Sequence, residues 1–83
     1  VPDDLTEIEG IGPKTRQVLA EAGIVTFAQL AATEMTELDR ILEEAGFRLA
    51  FPETWPEQAA YAERGDWSGL EALQERLDRG RRV

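Results

Sequence analysis

The chain has 83 residues, 42% hydrophobic and 31% charged, which is enough for one small core and too little for two. A net charge of −8 has the wrong sign for a typical nucleic-acid binder, and the lack of His and Cys removes imidazole chemistry, thiol chemistry and disulfides. No apolar run approaches the ~18–20 residues of a membrane span and no signal-peptide pattern opens the chain, so a cytoplasmic domain is expected.

Asp3 or Asp4 can cap a first short helix, with Asp4 and Glu7 at capping-box spacing, Leu5 and Ile8 facing inward and Gly10 ending it. Two glycines flanking Ile11 then suggest a tight turn with close backbone approach. Pro13 suits the first position of a helix to Ala22, because its missing N–H would have had no intrahelical partner there. Val18, Leu19 and Ala22 form the inner face of that helix, and Gly23 closes it. Thr26 is an N-cap for a short apolar helix, 27–32. Thr33 or Thr36 starts a longer one to Ala45, with Leu38, Ile41, Leu42 and Ala45 on one face and Gly46 at its end.

Residues 47–53 alternate Phe47, Leu49 and Phe51, but a lone strand has no partner, so an extended connector packed on the core is expected. Thr54-Trp55-Pro56-Glu57 has a second capping-box pattern and opens a helix to Arg64. Gly65 stops it, and Asp66 caps a final helix from Trp67 to about Arg79, with Leu70, Leu73 and Leu77 as its stripe. The predicted fold is an all-α bundle of six short helices in a single domain, 1–83. The opening residue, Val1 rather than Met, suggests a piece cut from a larger protein, and the domain is expected to be monomeric.

Charge is distributed unevenly. The first 33 residues carry five acids and two bases, the next 32 carry eight and three, and the last 18 carry four of each. Between Gly10 and Ala20 there is no acid, only Lys14 and Arg16. These two cations lie in the first helical turn, where the helix dipole opposes each by about 0.3–1 kcal/mol. A bound anion would offset that cost, and the free N–H groups of a helix N-terminus are a ready phosphate site.

The run Asp4-Leu5-Thr6-Glu7-Ile8-Glu9-Gly10-Ile11-Gly12-Pro13-Lys14-Thr15, with Leu19 and Ala22-Gly23-Ile24, resembles a helix-hairpin-helix motif. Residues 27–32 then match the connector helix that often follows such a motif, and Leu38 with Ile41 matches the start of a second. There the glycine hairpin is replaced by Glu43-Glu44-Ala45-Gly46-Phe47. The part from Thr54 through Trp67 to Leu77 is similar to a small domain that bacteria append to unrelated proteins, including a large-subunit ribosomal protein. The resemblance implies a helix-hairpin-helix, SAM-like architecture with an intact motif at 4–24, a degenerate second motif at 36–64 and a C-terminal helix at 67–79.

It also implies sequence-independent contact with nucleic-acid phosphate through Gly10, Ile11, Gly12, Lys14, Thr15 and Arg16. Gly10 and Gly12 would form the turn, Gly12 and Lys14 would donate N–H groups, and Lys14 would supply charge. Some relatives hold a monovalent cation on the hairpin carbonyls; otherwise no cofactor and no metal is implied. Arg16 departs from the pattern, standing where the family usually has alanine facing the first helix.

Two alternatives remain at this point. The hairpin can be a purely structural turn with Ile11 buried, and the domain can then be a protein-interaction module. In that case the acidic run Glu34, Glu37, Asp39, Glu43 and Glu44 would meet a basic partner. Trp55, Trp67, Tyr61, Phe27, Phe47 and Phe51 read as core closure rather than base-stacking platforms. Arg76, Arg79, Arg81 and Arg82 read as cations favoured by a helix C-terminus rather than phosphate ligands. Asp3, Asp4, Glu7 and Glu9 read as capping residues rather than a metal cage, and no serine has a base at hand, so no enzymatic activity is expected.

Overall fold

Three helices of this chain end in the same way, and those endings set its outline. A computed structural model describes residues 3–47, 50–78 and 81–82. Helix α1 spans Pro13–Glu21, α2 Phe27–Ala31, α3 Met35–Glu44, α4 Trp55–Glu63 and α5 Trp67–Gln74. At the end of α1, Ile24 N–H donates to Leu19 C=O at 2.9 Å and Gly23 N–H to Ala20 C=O at 3.0 Å. This double closure needs a left-handed residue, and Gly23 has φ 90°. The same bond pair recurs at Phe47 and Gly46 after α3, and at Asp66 and Gly65 after α4. Each reversal turns the chain back over the apolar face it has just built.

The buried side chains form one cluster. Leu5, Ile8 and Ile11 come from the N-terminal turn, Leu19 from α1, Leu30 from α2, Leu38 and Ile41 from α3, Trp55 and Ala59 from α4, and Leu70 from α5. Helix α4 lies centrally and makes its most extensive contact with α2. Its small residues Ala59 and Ala62 allow that close approach, while Trp55 is fully enclosed. The Trp55 indole N–H has no partner among the described residues, so the ring contributes apolar area and no hydrogen bond.

The all-α architecture holds, with several local differences from expectation. The first predicted helix is a single 3-10 turn, Leu5–Glu7, in which Asp4 accepts from Thr6 N–H. The turn closes at once, with Ile8 N–H donating to Leu5 C=O at 3.1 Å and Ile8 already extended at φ −82°, ψ 128°. Asp3 instead reaches across to α2, accepting from Phe27 N–H at 2.8 Å, beside Thr26, which caps α2 as expected and adds a capping box with Gln29. Helix α3 begins after Glu34 rather than at either threonine, because the Thr33 hydroxyl donates back to Gln29 C=O at 2.7 Å and closes α2. Ala22 and Ala45 are exposed.

In the connector, Pro52–Thr54 forms a second 3-10 turn; Leu49 lies outside the described residues, while Phe47 and Phe51 are half-buried. The predicted box at Thr54 does not form, since its buried hydroxyl accepts from Gln58 instead. Helix α5 stops at Gln74, five residues early. Residues 77–78 (β1, Leu77–Asp78) pair antiparallel with β2 (Arg81–Arg82), and this ladder satisfies backbone that the leucine spacing would have made helical. Of the four arginines expected at a helix C-terminus, Arg76 directly follows the Glu75 C-cap of α5, Arg81 and Arg82 lie in β2, and Arg79 lies outside the described residues. Trp67 does not close the core but stands 48% exposed.

Helices α4 and α5 meet at Gly69, where a Cβ would lie 2.8 Å from the Tyr61 ring and 2.6 Å from Asp66 Oδ2. Arg64 stacks on that tyrosine, its guanidinium carbon 4.9 Å from the ring centroid. Alanine at this position gains about 1 kcal/mol of helix propensity but incurs about 1–3 kcal/mol of overpacking. Gly69→Ala is therefore predicted to lower the urea unfolding midpoint; an unchanged or raised midpoint would show that the ring yields freely.

Candidate nucleic-acid interface

The hairpin is built from apolar anchors on either side of a forced reversal. Ile8 and Ile11 are buried at 1% and 5% exposure, while Gly10 between them is exposed. Ile11 N–H donates to Ile8 C=O at 3.1 Å, and Gly10 turns the chain with φ 102°, a value that favours glycine. Gly12 then caps α1, and the first intrahelical bond runs from Arg16 N–H to Gly12 C=O at 2.9 Å. The N–H groups of Gly12, Lys14 and Thr15 have no partner among the described residues.

Gly12 differs from Gly10. Its φ is −94° and ψ −177°, ordinary extended backbone, and an added Cβ would meet nothing within 4 Å. The fold does not require glycine there. Its effect is to leave the surface backbone bare.

The loop before the glycine is clamped from below. Gln58, fully buried on α4, accepts from Glu9 N–H at 2.7 Å and donates to Glu9 C=O at 3.1 Å, so one side-chain amide pairs with both backbone groups of Glu9. The same Nε2 donates to Thr54 Oγ1 at 3.1 Å. From α5, Gln74 Nε2 donates to Gln58 Oε1 at 3.0 Å and to Glu7 C=O at 2.8 Å. Sequence reasoning missed both glutamines, since a polar residue on a helix is ordinarily solvated.

The structure separates the candidate residues into different roles. Ile11 is a core anchor whose N–H is spent inside the turn. Thr15 has a buried side chain, so it offers only its amide. Arg16 is exposed but pairs with Asp4 at 3.3 Å, which brings an acid into the island that is basic in sequence. Its guanidinium head reaches outward. Lys14, the other cation of the hairpin, is exposed and has no ion-pair partner among the described residues. The Thr6 hydroxyl, the Thr6 N–H and then Arg16 hold the Asp4 carboxyl below its ordinary value. On α3, Arg40 bridges Glu37 and Glu44, lowers Glu37, and neutralises part of the acidic face.

A 3-10 turn, a left-handed glycine and a proline-opened helix, all packed as one motif, define a helix-hairpin-helix domain. The chain belongs to that family: the sequence profile of the RS2/RL21/YNQ2 HHH domain matches residues 5–69. It is similar to large ribosomal subunit protein bL21 of Mesorhizobium japonicum, 47% identical over 58 residues that cover 70% of this chain and 26% of that protein. The corresponding protein of Maricaulis maris is 43% identical over 65 residues, covering 78% of this chain and 25% of its own length. DNA repair and recombination protein RadA of Methanococcus voltae is 36% identical over 50 residues, 57% of this chain and 16% of that protein. The chain thus spans about a quarter of the ribosomal relatives it matches. No solved structure matches it significantly.

Two outcomes follow for stability. Gln58→Ala removes both Glu9 bonds and leaves a cavity, and should cost about 2–4 kcal/mol in urea unfolding with faster amide exchange at Glu9. A loss within error of zero would mean that the clamp is dispensable. Because the Asp4 pKa is lower folded than unfolded, its contribution is complete above about pH 4 and fades as pH falls through the folded value. Asp4→Asn should flatten that acid limb of the unfolding midpoint; an identical limb would contradict it.

Proposed function

We propose that this domain is a non-enzymatic module that makes weak, sequence-independent contact with the phosphate backbone of duplex nucleic acid. The observation that carries this is Gly12, a surface glycine that folding does not require, beside unpartnered amides and an unpaired Lys14. A phosphate seated there would receive the Gly12 and Lys14 N–H groups and the Lys14 ammonium, with the α1 dipole adding to the attraction. Support also comes from relatives named for the large ribosomal subunit and for DNA repair. His and Cys are absent, in keeping with a binding role.

The affinity is small on physical grounds. One hairpin neutralises about one or two phosphates, which gives a salt slope near −1 to −2, and a net charge of −8 opposes encounter. Useful binding then depends on effective concentration supplied by the rest of a longer cytoplasmic protein. We assign residues 4–24 as the binding motif and 36–64 as a second motif that has lost its glycine hairpin.

The test is a fluorescence-anisotropy titration against a short duplex at low salt. Lys14→Glu should weaken binding and reduce the salt slope by about one. Gly12→Ala should weaken binding while changing stability by no more than about 1 kcal/mol. Salt-insensitive binding, or wild-type affinity in both variants, would overturn the proposal.

A further inference from the structure

Trp67 is the one large hydrophobic side chain left exposed among the described residues. It stands at the start of α5 with its ring edge-on to Phe27, centroids 5.9 Å apart at 75°. Together with Asp4 and Glu7 the two rings line a shallow open depression. Glu7 has no partner for its carboxylate among the described residues, and Asp4 commits Oδ1 to Thr6 and Arg16 and leaves Oδ2 open. Of the domain's own cations, Arg64 lies on Tyr61 and Arg16 on Asp4.

We infer that this depression docks a basic protein segment, with an arginine side chain laid on Trp67 and its guanidinium reaching Glu7 and Asp4. An aromatic face next to carboxylates is complementary to a planar cation on an apolar stem. The same carboxylates repel phosphate, which argues against a nucleic acid at this position. The overall charge of −8 steers such a partner inward. The site shares no residue with the Gly12, Lys14 and Thr15 amides, although Asp4 also pairs with Arg16 of α1.

Trp55 is fully buried, so acrylamide quenching reports on Trp67. The probe is a short capped peptide of alternating arginine and glycine, fluorescently labelled and titrated at low salt, with anisotropy as the common readout. Saturable binding with protection of Trp67 from acrylamide is expected. Glu7→Gln should weaken it about 2–5-fold, the loss of one exposed charge pair. Trp67→Leu, which keeps apolar area but removes the π face, should weaken it as well. Glu43→Gln makes the same charge change on exposed α3 and should leave it nearly unchanged. Lys14→Glu should retain peptide binding even where it loses duplex binding, which separates the two sites. The inference is overturned if Glu43→Gln costs as much as Glu7→Gln or if Trp67→Leu binds normally. Protection of Trp67 by duplex DNA as complete as that by the peptide would overturn it too.

Discussion

One side-chain amide holds the two halves of this domain together. The hairpin must press Ile8 and Ile11 into the core, which draws the intervening backbone of Glu9 toward a place where water is scarce. Paired polar groups are obligatory there, and an unpaired one costs about 1–3 kcal/mol. Gln58 meets both needs from 49 residues away and imitates the edge of a strand. Its own position depends on the buried Thr54 hydroxyl, and Gln74 joins α5 to the same network. Each member is satisfied by another, so the network favours one arrangement of α4 and α5 under the hairpin. The N-terminal motif is therefore not a separable peptide; its geometry is completed by the C-terminal half.

Much of the fold was legible because its punctuation is local. Gly23, Gly46 and Gly65 announce helix ends through backbone bonds made within six residues, and Thr26 announces a start. The leucine and isoleucine spacing of α3 gives its buried face directly. What could not be read depends on partners distant in sequence. Gln58 and Gln74 look like solvated helix positions until Glu9 is brought beside them. Thr54 has the pattern of a cap, but burial redirects its hydroxyl to Gln58. The leucine stripe through Leu77 suits a helix, and only pairing with residues 81–82 breaks it. Trp67 follows the composition rule for a core residue, yet α5 presents it outward against Phe27.

The candidate site was legible as a backbone feature and less so as a set of side chains. Gly10 and Gly12 stand where the motif predicts, but only the structure separates their roles, one required by φ and the other an N-cap with neither a φ nor a steric demand for glycine. Of the two cations in the acid-free stretch, one remains uncommitted, because Asp4 comes through space to Arg16. Backbone amides with a single lysine fit a ligand whose recurring unit is phosphate, since amides contact an oxyanion without reading sequence. The acidic body restricts where a polyanion can approach and leaves other faces for basic partners.

The most direct measurement of the central claim is a ¹⁵N–¹H chemical-shift titration of the domain with a short duplex at low salt. Saturable shifts led by the Gly12, Lys14 and Thr15 amides, with the Gln58 side-chain amide held in place, are the predicted result. Shifts centred away from the hairpin, or none up to the highest duplex concentration, would contradict a phosphate site at the N-terminus of α1.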